Sequence, residues 1–561
     1  MAYHAAVSET AVSAPGKVLL TGGYLVLDRN YTGTVFALDA RIHVVVRQLQ
    51  RERGTREGVT RVATAARQEE GDVESGGGGG GEHGGGSETM EADGVGKGAD
   101  GGQGNWAGDG DGGGYEESDE VIVVKSPQFV DAVWEYGVRR EPDGGGVRVV
   151  QKGDGPRNPF VETSLNFALT YISYVAASKL FGSLSITILA DNDYYSQTTT
   201  SQAVGSNRGT LFSDFGVKLH EAHKTGLGSS AALVTALVSA IVIHRTIQPE
   251  ELPTVRDKLH NLAQAAHCAA QGKVGSGFDI GAAVYGSCLY RRFSPAVLGN
   301  LGDVGSPQFD ERLFAVVEDL NADQPWDTEC VDFGTKLPRG MQMVLCDVDC
   351  GSQTPGMVKK VLQWRQNNRE EADALWRELQ QNNDKLRLLL KDLAHKNAGN
   401  GNSRHTSAIA SSPTTSPGIN KNRDYDDDED DDDDNAISRK DSDAVSKLIS
   451  HSRALLRTMT TKTGVPIEPK VQTELLDSLS SEVEGVIGGV VPGAGGYDAI
   501  VLLVRDDAAV VDRLRAFLRT WESSVEDDFG GKINRVRLLG VSHGSEGLRN
   551  ETSTHYFGWM V

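Results

Sequence analysis

Between Lys224 and Leu237 the chain reads KTGLGSSAALVTAL, two glycines and two serines set against the start of an apolar run. Glycines let a backbone turn sharply and approach a ligand closely, and the first amides of a helix point outward with positive potential, so the pattern suits a phosphate. A well-capped core helix would use the same residue types. The Walker A order fails, because Lys224 precedes the glycines instead of following them. Gly226, Gly228 and Ala231 do spell the dinucleotide-binding G-x-G-x-x-A, with Glu250 and Glu251 about twenty residues on. Those acids lie in IQPEELPTV, however, whose two prolines rule out the second parallel strand that should hold a ribose-binding carboxylate. What survives is a helix start with spare donors, suited to the phosphates of a nucleotide.

Two more glycine-rich stretches could act with it. SAPGKVLLTGGYLVL places Lys17 on a Pro-Gly turn between apolar segments, and VVPGAGGYDAIVLL places small residues, Gly493 to Gly496, before a buried strand. A carboxylate, Asp279, closes the turn GKVGSGFD.

The elements that must position these residues follow from periodicity. KVLLTGGYLVLD, TVFALDARIHVVV, EVIVVKS, AVWEYGV and GVRVVQ are short, rich in β-branched and aromatic residues, and bounded by turn formers, so they predict strands. NPFVETSLNFALTYISYVAASKLF repeats at helical spacing and LSITILAD returns to strand. GVKLHEAH is expected as a strand leading into the Lys224 loop and its helix, and VRDKLHNLAQAAHCAAQ as an amphipathic helix ending at Gly272. MQMVLCDVD predicts a strand, PGMVKKVLQW opens a helical region reaching Leu393, and DAIVLLV is a late strand. Helices on one side of mainly antiparallel sheets give an α+β protein of two lobes.

Two tracts stand outside this plan. From Glu69 to Glu120 there are fifteen acids against one base, and Gly71 to Gly114 holds 21 of the 67 glycines. Asp424 to Asp434 has ten acids in eleven residues, flanked by polar low-complexity sequence. Neither has the apolar area to offset chain entropy, so both are expected to be disordered insertions. They account for the formal charge of −22, and the remainder of the chain is close to neutral at about +2. The acidity therefore says nothing about the substrate, and no nucleic-acid partner is expected. Apolar runs shorter than the roughly 20 residues of a membrane span, and an N-terminus without a basic start and apolar core, predict a soluble cytoplasmic chain. Five cysteines, odd in number and without paired zinc spacing, predict reduced thiols.

The three glycine motifs, in this order near the start, middle and end, resemble the three signatures of the GHMP small-molecule kinases. SAPGKVLLTGGYLVL, NPFVETSLNFALTYI, KTGLGSSAALV, HNLAQAAHCAAQGKVGSGFD, GSQTPGMVKKVLQW and VPGAGGYDAI are most similar to the family members that act on phosphomevalonate, and these segments span nearly everything outside the insertions. The resemblance implies an N-terminal lobe like ribosomal protein S5 domain 2 over 1–295, interrupted at about 52–118, and a ferredoxin-like C-terminal lobe over 310–561, interrupted at about 397–443. It implies transfer of the γ-phosphoryl of MgATP to the 5-phosphate of (R)-5-phosphomevalonate. Other GHMP kinases, mevalonate kinase among them, and a catalytically inactive sensor of this fold are the alternatives; the presence of Lys17 and Asp279 disfavours the sensor.

By the same resemblance Lys224, Thr225, Gly226, Leu227, Gly228, Ser229, Ser230 and Ala231 would hold ATP, with a serine hydroxyl, Ser230 or else Ser229, on Mg²⁺. Lys17 and Asp279 would be catalytic. Ser196, Gln197, Gln264, Ser276, Ser352, Thr354 and Gly495 would contact the acceptor. An acceptor phosphate, with a second pKa of about 6, is already mostly ionised, so Asp279 is expected to orient Mg²⁺ or a lysine instead of removing a proton. Lys17 would offset the repulsion between the two phosphates. One departure stands out: mevalonate kinase carries a metal-binding glutamate on the helix before this turn, and here no acid occurs between Asp257 and Asp279. Gln264, His267 and Gln271 lie on that helix; His267 would face the substrate or be an ordinary core histidine.

Overall fold

Near-continuous apolar, β-branched runs build two long strands, β1 (Glu9–Thr21) and β2 (Gly33–Gln48), paired antiparallel with a register shift between Pro15 and Lys17. A computed structural model of the chain describes residues 9–49, 117–176, 182–196, 211–332, 337–350, 356–400 and 437–560. Both acidic tracts fall outside them, except that Glu117–Glu120 at the end of the first belong to the strand that follows β2. Residues 9–49 and those from 117 onward belong to one compact unit.

After β2 come β3 (Glu117–Lys125), β4 (Val133–Arg140), β5 (Val147–Lys152), α1 (Pro159–Val175), β6 (Leu184–Ala190), α2 (Ser229–Thr246), α3 (Leu252–Gln271), α4 (Phe278–Tyr285), β7 (Cys288–Arg291), α5 (Phe309–Val317) and β8 (Glu329–Val331). The second set comprises β9 (Met341–Cys350), α6 (Met357–Asn367), α7 (Arg369–Asn400), α8 (Arg439–Thr463), α9 (Lys470–Glu482), β10 (Val486–Val490), β11 (Ala499–Arg505), α10 (Ala508–Thr520) and β12 (Ile533–Leu538). The chain then returns to the first sheet with β13 (His543–Gly544) and β14 (Arg549–Glu551).

The first sheet runs β14-β1-β2-β6-β3-β4-β5, with β13 and β7 also on β2 and β8 on β7. Its described pairings are antiparallel except β3 with β6. The second sheet, β10-β11-β9-β12, is antiparallel throughout. Renumbered within its lobe that order is 2-3-1-4, the split β-α-β arrangement of a ferredoxin-like layer, as expected. The main core packs α1, α2 and α3 on the first sheet, and a second core fills the space between α9, α10 and the second sheet. Helix α2 is long and apolar enough to cross a membrane by length and composition, but it lies at the centre of the main core, 72 % buried.

Gly272, in the left-handed conformation, ends α3 where the sequence predicts. The strand expected over GVKLHEAH does not form. Gly216 has φ +65°, Glu221 N–H closes a turn onto Lys218 O, and two isolated bridges, Val130 with Lys218 and Tyr195 with Lys224, replace a ladder. Alternation alone is insufficient where no neighbouring strand offers a continuous row of partners.

Candidate active site

Lys17 and the Lys224–Ala231 loop meet directly. The Lys17 backbone N–H donates to Leu227 O at 2.9 Å, and its ammonium donates to Gly226 O at 3.2 Å. Gly228, at φ +83°, caps α2, and a Cβ there would stand 2.8 Å from Lys17 Cε. The left-handed turn and the close approach of the lysine both require glycine. A glycine cap also returns no side chain to the first amides of α2, in contrast to α1, where the Asn158 carboxamide accepts from Val161 N–H. The loop is braced from beneath: Leu227 and Ala231 are core residues, and the buried Thr225 hydroxyl donates to Asp193 O at 2.6 Å. Lys224 is exposed, and Ser229 and Ser230 open the helix.

Asp279 arrives from the other side, second residue of α4 behind the left-handed cap Gly277. Its Oδ1 accepts from Ile280 N–H at 3.1 Å. Burial pushes the Lys17 ammonium below the usual lysine range, and the Asp279 carboxylate opposes that shift. The turn carrying Asp279 is held by Arg292, which donates to Val274 O at 3.2 Å and Gly275 O at 2.8 Å, and by the Tyr290 hydroxyl, which donates to Ser276 O at 2.7 Å. Gln264, 1 % exposed, supports it from below: its Nε2 donates to Cys268 Sγ at 3.2 Å, and a Cβ on Gly277 would meet its Oε1 at 2.7 Å.

The remaining acceptor candidates are more dispersed. Ser196 joins the lobes, its hydroxyl donating to Asp347 Oδ2 on β9 at 2.7 Å. Gly495 lies where a Cβ would meet Ile467 O at 2.1 Å, while Gly493 O approaches Gly23. Gln197, Ser352 and Thr354 lie outside the described residues. Two features escape a linear reading. A cavity of about 700 Å³ reaches Lys224, Ser229 and Ser230 at one end and is walled by Phe129, Trp134, Phe160, Tyr195 and Leu233. The His267 ring stands between Ser230 and Asp279. The i, i+3, i+7 spacing of Gln264, His267 and Gln271 was the available signal for the second; nothing local marks the first, whose walls come from segments far apart in the chain.

Ser230 supplies a hydroxyl at the helix start, and Asp279 a carboxylate on the other side of the His267 ring. Mg²⁺ prefers oxygen ligands, retains water, and binds through one or two protein groups plus substrate phosphates, so this donor set fits it. Among the described residues no group of three or more His, Cys, Asp or Glu could hold a metal by itself.

Residues 211–287 match the GHMP kinases N terminal domain. The chain is 60 % identical over 551 residues to a phosphomevalonate kinase of Aspergillus fumigatus, covering 98 % of each. It is 40 % identical over 561 residues to a phosphomevalonate kinase of Gibberella zeae, again covering 98 % of each. Among solved structures, the Lin0012 protein of Listeria innocua superposes with a TM-score of 0.50 at 15 % identity, over 95 % of this chain and 99 % of that one, a likeness of fold. With such identity sustained from end to end, the chain belongs to the phosphomevalonate kinases of the GHMP kinase family.

Proposed function

We infer that the chain transfers the γ-phosphoryl group of ATP to the 5-phosphate of (R)-5-phosphomevalonate, giving 5-diphosphomevalonate and ADP. The observation that carries this is 60 % identity to a phosphomevalonate kinase across 98 % of both chains. The geometry supports it. A volume of about 700 Å³ is of the size that holds a small-molecule ligand, and its aromatic and aliphatic walls suit a purine base. From there the phosphates would run along Ser229 and Ser230 to the uncapped amides at the start of α2.

Phosphoryl transfer asks a protein mainly for positioning and charge stabilisation. Lys17, fixed by the Gly226 and Leu227 carbonyls, offers an ammonium at the end of the phosphate loop, where it would reduce repulsion between donor and acceptor phosphates. The Asp279 charge opposes the lowering of the Lys17 pKa by burial, which is a charge-positioning role. The acceptor's second pKa of about 6 leaves little for a general base to do near neutral pH. Mg²⁺, which the Ser230 hydroxyl would hold together with water and the nucleotide phosphates, would neutralise phosphate charge. Ser196 and Gly495, with Gln197, Ser352 and Thr354, are our candidates for the acceptor's contacts; Gln264 and Ser276 would act by supporting the Asp279 turn.

An ADP-release assay across mevalonate, phosphomevalonate, homoserine and galactose tests this reading. Mg²⁺-dependent turnover is expected with phosphomevalonate alone. Comparable turnover of mevalonate would overturn it.

A further inference from the structure

Helix α3 contributes one side chain that contacts both halves of the site. The His267 ring is 3 % exposed and lies against Phe160, ring centroids 5.9 Å apart. Its Nε2 is 3.2 Å from Ser230 Oγ and 3.1 Å from the Gln271 amide nitrogen, and its Nδ1 is 3.9 Å from Asp279 Oδ2. The Asp279 carboxylate on the Nδ1 side repels a lone pair there, so the tautomer with its hydrogen on Nδ1 and a lone pair on Nε2 is favoured by charge, without a hydrogen bond to Asp279. That lone pair makes one good hydrogen bond. Gln271 is exposed and its amide has water, whereas Ser230 is partly buried, so the bond goes to the serine hydroxyl.

A hydroxyl that meets a cation through its oxygen must direct its hydrogen elsewhere. We propose that His267 is a positioning residue that accepts the hydroxyl hydrogen of Ser230 and thereby turns the serine lone pairs toward a cation at the start of α2. The same three side chains in a hydrolase would activate serine as a nucleophile. Here 3.9 Å leaves Asp279 outside hydrogen-bond reach of the ring, and its charge acts on Lys17. The inference rests on the kinase reading above, specifically on Ser230 meeting the metal.

The test is calorimetric titration of the non-hydrolysable analogue AMPPNP, once with Mg²⁺ and once with EDTA. His267→Leu should weaken binding of the Mg²⁺ complex about tenfold, the scale of one hydrogen bond, and metal-free binding less than about twofold. His267→Asn, too short to reach Ser230, carries the same expectation should the leucine variant not fold. His267→Gln, which restores an acceptor, should stay within about threefold of the parent. Combined with Ser230→Ala, the His267→Leu loss should vanish, because both act through one contact. Equal losses with and without Mg²⁺, or additive losses in the double variant, would overturn the proposal. If Ser230→Ala weakens Mg²⁺-dependent binding while His267→Leu does not, His267 has no such role although the kinase reading stands. If Ser230→Ala itself has no effect, the metal role of Ser230 falls and this inference with it.

Discussion

The second and third glycine motifs look alike in sequence and differ in what their glycines accomplish. Gly228 and Gly495 have nearly the same φ, +83° and +81°. A methyl group on Gly228 would press on Lys17 Cε at 2.8 Å, the flexible stem of a reactive side chain. On Gly495 it would meet the Ile467 carbonyl at 2.1 Å, which is backbone. That backbone is itself anchored: the next residue, Glu468, accepts through Oε1 from Arg453 Nε at 3.0 Å and from Arg457 Nη1 at 2.8 Å, inside the fold. Glycine thus makes room for chemistry in one loop and for packing in the other, and only contacts in space distinguish the two.

The largest effect expected from this contrast is chemical. Lys17→Met should lower kcat by at least about 10²-fold, comparable with loss of one preorganised electrostatic group. Its melting temperature should hold or rise, since the ammonium is partly desolvated in the resting protein. Steady-state kinetics with a thermal melt decide it; a collapsed fold would mean Lys17 is structural. Next comes Gly495→Ala, expected to lose about 3 kcal/mol of stability from left-handed strain plus overpacking, read from urea unfolding. Gly228→Ala should lose only about 1 to 2 kcal/mol of stability, because a side chain can move where a carbonyl cannot, yet its kcat/KM for ATP should fall more than about tenfold. Equal stability losses in the two variants, with kinetics intact in Gly228→Ala, would erase the distinction.

Much of this arrangement is legible in the sequence because it is set locally. Gly272 ends α3, Gly228 precedes α2, and Asp279 follows a glycine turn, all through short-range backbone preferences. The two-lobed α+β plan is legible for the same reason, since most strands carry apolar alternation. Strands β13 and β14 are not: HG and RNE have no strand pattern and form only because β1 and the Ala37–Leu38 stretch of β2, which β6 and β7 leave unpaired, offer partners across some five hundred residues. The expected strand at GVKLHEAH fails by the converse, a pattern without a partner. In the site, the residue types were legible but their assembly was not. His267 reaches Ser230 across 37 positions and two helices, and the 700 Å³ cavity has no contiguous signature.

The smallest predicted effect separates the lobes by their response to acid. His244 lies in the last turn of α2, where a helix C-terminus would ordinarily favour the charged ring. Burial outweighs that dipole, with Arg245 adding to it, and the pKa is pushed down to about 4, while Thr10 Oγ1 contacts Nδ1 at 3.0 Å. Because the folded value lies below the unfolded one of about 6.5, the unfolded chain binds the proton first as pH falls. Stability is therefore present above pH 6.5 and declines progressively toward pH 4. Amide protection factors in α2 should fall over that window, while those of β11, in the second core, should change less. His244→Asn, which keeps a hydrogen-bonding group without a titrating one, should remove the difference. If α2 and β11 lose protection in parallel, and His244→Asn leaves that unchanged, the acid response belongs to the whole unit and not to the helix that presents the phosphate loop.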